Sequence, residues 1–217
     1  MDDRDNKVRE STAERIQAAL ISDISAGLIE AGERMDEMRL ADRFGVSRTP
    51  IREVLNRLTA QGILESGGGR GLRVATYSKE ELSHMFEAMF EIEAVCARLA
   101  SQRLTFLDRS RIERAQAYCV DIAHAGDLVG YLRANEDLHM MIYEATGNPF
   151  IAQLAADFRR RTGPFRAKKF RTKADLVASA ESHVPLLASI FSADSLQADH
   201  GMRSHMTRSY VDVLAAN

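Results

Sequence analysis

The sequence predicts a mostly α-helical protein. Residues 1–76 read as a winged helix-turn-helix with a small β-hairpin wing, and residues 77–217 as an all-helical bundle. Three observations predict it. Three helical stretches are followed closely by two short apolar runs around a glycine cluster. From Glu80 onward only helical periodicity appears. Bases also concentrate in the first part: Arg43 to Ala75 carries a net +4, on a chain whose formal net charge is −2. A nucleic-acid binder needs only one such basic face.

Each element has its own signals. In 11–28 the apolar residues Ile16, Leu20, Ile24 and Leu28 recur every four positions, on one helix face, and Gly27 marks the stop. Asp36 is the expected N-cap of a helix over 37–44, which Gly45 closes. Ser47 is the expected N-cap of a helix over 48–61, with Pro50 in the first turn, where a missing N–H costs nothing. Ile63–Glu65 and Leu72–Ala75 flank Gly67-Gly68-Gly69-Arg70-Gly71 as the two strands of a hairpin. Tyr77–Lys79 reads as a linker. Helices are expected over 79–103, 108–125, 127–146, 149–161, 173–192 and 194–214, with Asp108, Asp127 and Asp194 as N-caps.

Composition bounds the function classes. The chain has 217 residues, 45% hydrophobic and 28% charged, which suits one large or two modest globular domains. No run approaches the ~18 apolar residues of a membrane span. Charges throughout the first 20 residues argue against a secretory signal. Cys96 and Cys119 lack paired spacing and are expected to be buried free thiols in a reducing cytosol. A cytoplasmic location and no membrane partner are the expectation.

Within 48–61, Ile51, Leu55 and Leu58 form one face and Arg48, Arg52 and Asn56 another. The first would pack on the preceding helices, leaving the second free for a major groove. An arginine fork donates two hydrogen bonds to guanine O6 and N7, worth ~1–3 kcal/mol against a wrong base. Thr49 can bond a phosphate or base edge near the helix N-terminus. The wing glycines permit close backbone approach, and Arg70 could reach a minor groove or phosphate.

The stretch Leu40-Ala41-Asp42-Arg43-Phe44-Gly45-Val46-Ser47-Arg48-Thr49-Pro50-Ile51-Arg52-Glu53-Val54-Leu55 resembles the signature of GntR-type winged-helix regulators. That resemblance implies operator contacts by Ser47, Arg48, Thr49 and Arg52, assisted by the wing at Gly69 and Arg70. Some members carry a further arginine where this chain has Met38, so no contact is assigned there.

Asn135 and His139 lie one helical turn apart, while His183 and His205 sit on later helices. Three imidazoles and a carbonyl oxygen would suit zinc or a similar divalent ion. Spacing alone favours scattered surface or core histidines. However, Asn135-Glu136-Asp137-Leu138-His139, Tyr143-Glu144-Ala145-Thr146-Gly147-Asn148-Pro149, Glu181–Ile190 and Met202-Arg203-Ser204-His205 resemble, in order and spacing, the FCD effector domain of GntR regulators. The resemblance implies a buried divalent metal, zinc first and nickel or manganese next, held by Asn135, His139, His183 and His205. Two departures stand out. Asn135 replaces the commoner Asp and removes a negative charge, and Met89 stands where many members carry a carboxylate-clamping arginine. His84, His124 and His200 match nothing and are read as structural.

The run Arg159–Lys173 holds eight bases in fifteen residues and no acid. A solvated loop and helix end touching the DNA-binding part is the favoured reading over a phosphate or second DNA site, and an inward, effector-facing place for some of these arginines is left open. The expectation for the whole is a homodimeric repressor of catabolic genes that binds operator DNA and a small effector, a carboxylate or sugar acid. An enzyme reading lacks both an HExxH pair and the Glu-x-x-His pairs of di-iron bundles.

Overall fold

The computed structural model describes residues 11–69 and 71–216. Helix α1 (Thr12–Ser25) begins with a capping box: Ser11 Oγ accepts from Glu14 N–H, and the Glu14 carboxylate accepts from Ser11 N–H at 2.7 Å. Ile16, Leu20 and Ile24 are buried on one face, whereas Leu28 falls beyond the helix end and is exposed. Asp36 caps α2 (Glu37–Phe44) through the N–H groups of Met38 and Arg39, and Gly45 ends it at φ 63°. Helix α3 (Arg48–Ala60) starts after Ser47, whose extended backbone suits an N-cap although its hydroxyl makes no capping bond. Ile51, Val54, Leu55 and Leu58 of α3 pack with α1 and α2 in a first core.

Before α2, the two-residue strand β1 (Arg34–Met35) had no sequence signal, being too short to show alternation. It pairs antiparallel with β3 (Leu72–Val74), which also pairs with β2 (Leu64–Ser66), giving the order β1-β3-β2. The wing tip is closed by Gly67 N–H donating to Gly71 O at 2.8 Å.

Ser78 and Glu81 form the capping box of α4 (Lys79–Arg103). Helix α5 (Phe106–Ala125) starts two residues before the expected position. Thr105 is its N-cap, and Asp108, expected to cap, is the reciprocal acid three residues in. Asp127 caps α6 (Leu128–Glu144) as expected. Helix α7 (Pro149–Ala167) is capped by Asn148 and runs past its expected end at 161, through Gly163 and Pro164. Helices α8 (Lys173–Phe191), capped by Thr172 with Asp175, and α9 (Ser195–Ala216) complete the bundle. Phe86, Met89, Cys96, Ile112, Tyr131, Leu138 and Met202 are among the side chains of this second, larger core. Both cysteines are free and buried, and burial pushes each thiol up to about 12. Among the described residues, no helix is long and apolar enough to cross a membrane.

The two cores meet where α1 lies on α7. A Cβ on Gly163 would stand 2.7 Å from Ser25 Cα, so only glycine permits this approach. The buried Asp23 takes Arg43 of α2 at 2.5 Å and Arg133 of α6 at 3.6 Å, while Arg133 also donates to Ser22 Oγ. Arg161 of α7 donates to Tyr77, whose hydroxyl donates in turn to the Gly62 carbonyl.

Candidate nucleic-acid interface and metal centre

The short turn through Gly45 and Val46 sets α3 against α2, and burial of Ile51 and Leu55 turns the opposite face outward. Ser47, Arg48, Thr49, Arg52 and Asn56 are all exposed there. The Arg48 and Arg52 side chains retain 54% and 59% of their full exposure, and both donate at 2.8 Å to Glu37 Oε2. Those two guanidinium groups hold the Glu37 carboxyl below its ordinary range. Gly69 is exposed at the wing tip with φ 83°, a conformation that favours glycine. Arg70 lies outside the described residues.

In the bundle, α6, α8 and α9 bring His139, His183 and His205 together, with ring centroids 5.1–5.6 Å apart. One nitrogen from each falls within 4.8 Å of the others. What each Nδ1 touches decides how the rings present themselves. His139 Nδ1 lies 3.0 Å from Glu93 Oε2, an acceptor when ionised. His183 Nδ1 lies 3.0 Å from Gln116 Oε1, and Gln116 Nε2 donates to the Ala180 carbonyl, so the oxygen faces the ring. His205 Nδ1 lies 3.2 Å from Ser182 Oγ, whose own proton goes to the Ser179 carbonyl. All three Nδ1 atoms therefore carry protons, which puts the lone pair of each ring on Nε2. His183 Nε2 is fully buried with no hydrogen-bond partner. Burial drives His139 and His183 well below the ordinary histidine range and His205 down to about 4. Neutral imidazoles anchored through one nitrogen are the form in which histidine ligates metal.

Asn135, His139 and His205 line a cavity of about 380 Å³. Its wall also holds Arg159 and Arg166, which are buried, so for these two the reading of the basic run as solvated is corrected, while Lys168, Arg171 and Lys173 are exposed. Glu136 Oε2 accepts from Arg159 Nε at 3.0 Å and Arg166 Nη2 at 3.3 Å, and Arg159 Nη1 reaches Glu93 Oε1 at 3.3 Å. Burial opposes the charge on Arg159, but Tyr143, Glu93 and Glu136 raise its pKa overall; burial and then Arg159 lower that of Arg166. Met89 is fully buried and accepts from Thr162 Oγ1 at 3.3 Å. The cations that its position does not supply come instead from α7. The other expected structural histidines, His84, His124 and His200, stand apart from the cluster.

Sequence reasoning missed Glu93, Gln116 and Ser182. Glu93 carried a signal, because it lies one turn after Met89 and so shares its inward face. Gln116 and Ser182 carried none, since their role depends on how α5, α8 and α9 stack.

Residues 84–208, more than half of the chain, match the FCD domain family, and residues 12–74 match the gntR family of bacterial regulatory proteins. The chain belongs to the FCD-carrying GntR regulators. Among relatives of this family it is 23% identical over 198 residues to a probable D-xylose utilization operon transcriptional repressor of Paenarthrobacter nicotinovorans, covering 91% of this chain and 87% of that one. With the regulator LutR of Bacillus subtilis it shares 25% over 207 residues, covering 85% and 93%. The fold matches that of Escherichia coli McbR/YncC with a TM-score of 0.87 at 22% identity, over 94% of this chain and 98% of that structure. The family and these relatives are transcription regulators rather than enzymes.

Proposed function

We propose that the protein is a ligand-responsive, homodimeric repressor of catabolic genes, divided into a DNA-binding domain over 1–76 and an effector domain over 77–217. Ser47, Arg48, Thr49 and Arg52 read the operator, with the wing at Gly69 and Arg70 on the adjoining backbone. Two copies supply the paired half-sites that give a winged helix useful affinity. Asn135, His139, His183 and His205 hold a divalent ion, zinc in preference to nickel or manganese given three imidazoles. The effector is a small carboxylate or sugar acid. The location is cytoplasmic.

The observation that carries this reading is the histidine cluster: each Nδ1 has an acceptor, one nitrogen of each ring lies within 4.8 Å of the others, and the buried His183 Nε2 has no partner among the described residues. When bound, the ion supplies a positive charge that four neutral ligands leave uncancelled, which draws an anion into the cavity. Arg159 and Arg166 fix how that anion lies. They belong to α7, the helix on which α1 packs, so a shift of their guanidinium groups bears on the DNA-binding part. Relatives named for D-xylose utilization and L-lactate dehydrogenase operons support a catabolic role.

Gel shifts on the DNA upstream of the protein's own gene, with a panel of sugar acids and dicarboxylates, test the proposal. One or more acids should change the retarded fraction, and a chelator should abolish that change while leaving the band. No response to any acid in the zinc-loaded protein would refute the effector reading.

A further inference from the structure

We propose that Glu37 is a specificity-determining residue: its carboxylate holds Arg48 and Arg52 as a pair over the groove and withholds them from indiscriminate phosphate contact. This rests on the recognition-helix reading given above.

The geometry is that of a two-arginine clamp. One oxygen, Glu37 Oε2, accepts from Arg48 Nη2 and from Arg52 Nε, each at 2.8 Å. Arg52 is held by the side of its guanidinium, so both terminal nitrogens remain for guanine O6 and N7. Arg48 keeps Nη1 and the second hydrogen of Nη2. Glu37 is placed for this by rigid neighbours: Asp36 fixes the first turn of α2, and Leu40 and Ala41 anchor that helix in the core beside Ile51 and Leu55.

Three physical arguments give the carboxylate a role in reading DNA. Two cations one helical turn apart repel, and without a shared acceptor their long side chains would splay. The helix dipole modestly favours an acid in the first turn of α2 and an exposed ion pair adds little, so stability does not require that this carboxylate meet both arginines. A negative charge on a DNA-facing surface also opposes phosphate binding, which supplies nearly all non-specific affinity. That cost falls on every sequence alike, whereas the ordered pair favours only sequences with guanines at the right spacing. The neighbouring Met38, 62% exposed, adds no cation to this face.

The test compares wild type with Glu37→Gln and Glu37→Ala by fluorescence anisotropy. One probe is the duplex that the wild-type protein enriches from a randomised library, and the other is an unrelated duplex of equal length. For both variants, binding to the unrelated duplex should tighten about tenfold at low salt, with a salt dependence steeper by about one phosphate contact. The preference for the selected duplex should fall tenfold or more. A merely structural residue would weaken both duplexes together and lower the melting temperature, and that result overturns the proposal. An unchanged preference in both Glu37 variants, with Arg48→Ala and Arg52→Ala still losing the selected duplex, also overturns it and leaves the recognition helix standing. If the arginine variants keep their preference as well, the recognition-helix reading itself fails.

Discussion

Two arginine pairs in this protein share the same local chemistry and opposite surroundings. On α3, Arg48 and Arg52 meet on one oxygen of Glu37; on α7, Arg159 and Arg166 meet on one oxygen of Glu136. The first pair is more than half exposed, and the second retains 2% and 9% of its exposure. In water such a bridge contributes ~0–1 kcal/mol to stability and leaves the outer nitrogens of the arginines open to a base edge. In the interior, removing one partner leaves an uncompensated charge, at a cost of ~3–5 kcal/mol. The exposed pair is thus suited to meeting a partner from solvent, and the buried pair to holding a fixed shape around a ligand.

The strongest challenge to that contrast is Arg159→Ala. It takes the guanidinium away from the fully buried Glu93 and leaves Glu136 to Arg166 alone, so urea unfolding should show a loss of ~3–5 kcal/mol. A loss below 1 kcal/mol would mean that the buried pair behaves like the exposed one. Acid gives the next effect. In the folded protein burial keeps the three imidazoles neutral, with His205 at about 4, whereas unfolded histidines titrate near 6.5. Unfolding therefore takes up protons, so this part of the stability of the metal-free protein is present above pH ~6.5 and lost as pH falls towards 4. Melting curves in chelator at decreasing pH should record the decline; a flat profile would contradict neutral burial.

Arg52→Ala should weaken operator binding by ~1–3 kcal/mol and leave the melting temperature unchanged. Gln116→Ala frees His183 from its orienting amide and should reduce zinc affinity roughly 10- to 100-fold in a competition titration. The smallest effect is a gain: Asn135→Asp adds a charged ligand and should tighten zinc by about tenfold, because affinity rises with ligand charge.

These regions also differed in how far the sequence disclosed them. The exposed arginine face of α3 was legible because its determinants are local: Asp36, Gly45, Pro50 and the four-residue spacing of Arg48 and Arg52 lie within one short stretch. The wing was legible through its glycines, but β1 was not, since two residues acquire strand character only by pairing with β3. In the bundle the helices were legible by periodicity. Their ends slipped where a capping box placed the acid three residues inside, as at Thr105 and Asp108, and where α7 continued through Pro164. The histidine cluster was expected from resemblance and is brought together by α6, α8 and α9. Its hydrogen-bond partners could not be read, because Glu93, Gln116 and Ser182 belong to three separate helices. The arginines of α7 were visible as a basic run, but charge density alone does not tell a solvated face from an inward one. Only their burial beside Glu93 and Glu136 separates Arg159 and Arg166 from Arg161, which turns to Tyr77.

The most direct test of the division of labour crosses the two regions in one assay. Zinc-loaded wild type, Arg52→Ala and His183→Ala are titrated with the selected duplex, each with and without the acid that shifts the wild-type band. Arg52→Ala should lose the sequence-specific complex, while His183→Ala should bind the duplex as wild type does and no longer answer to the acid. Normal operator binding by Arg52→Ala, or a full acid response from His183→Ala, would contradict the account.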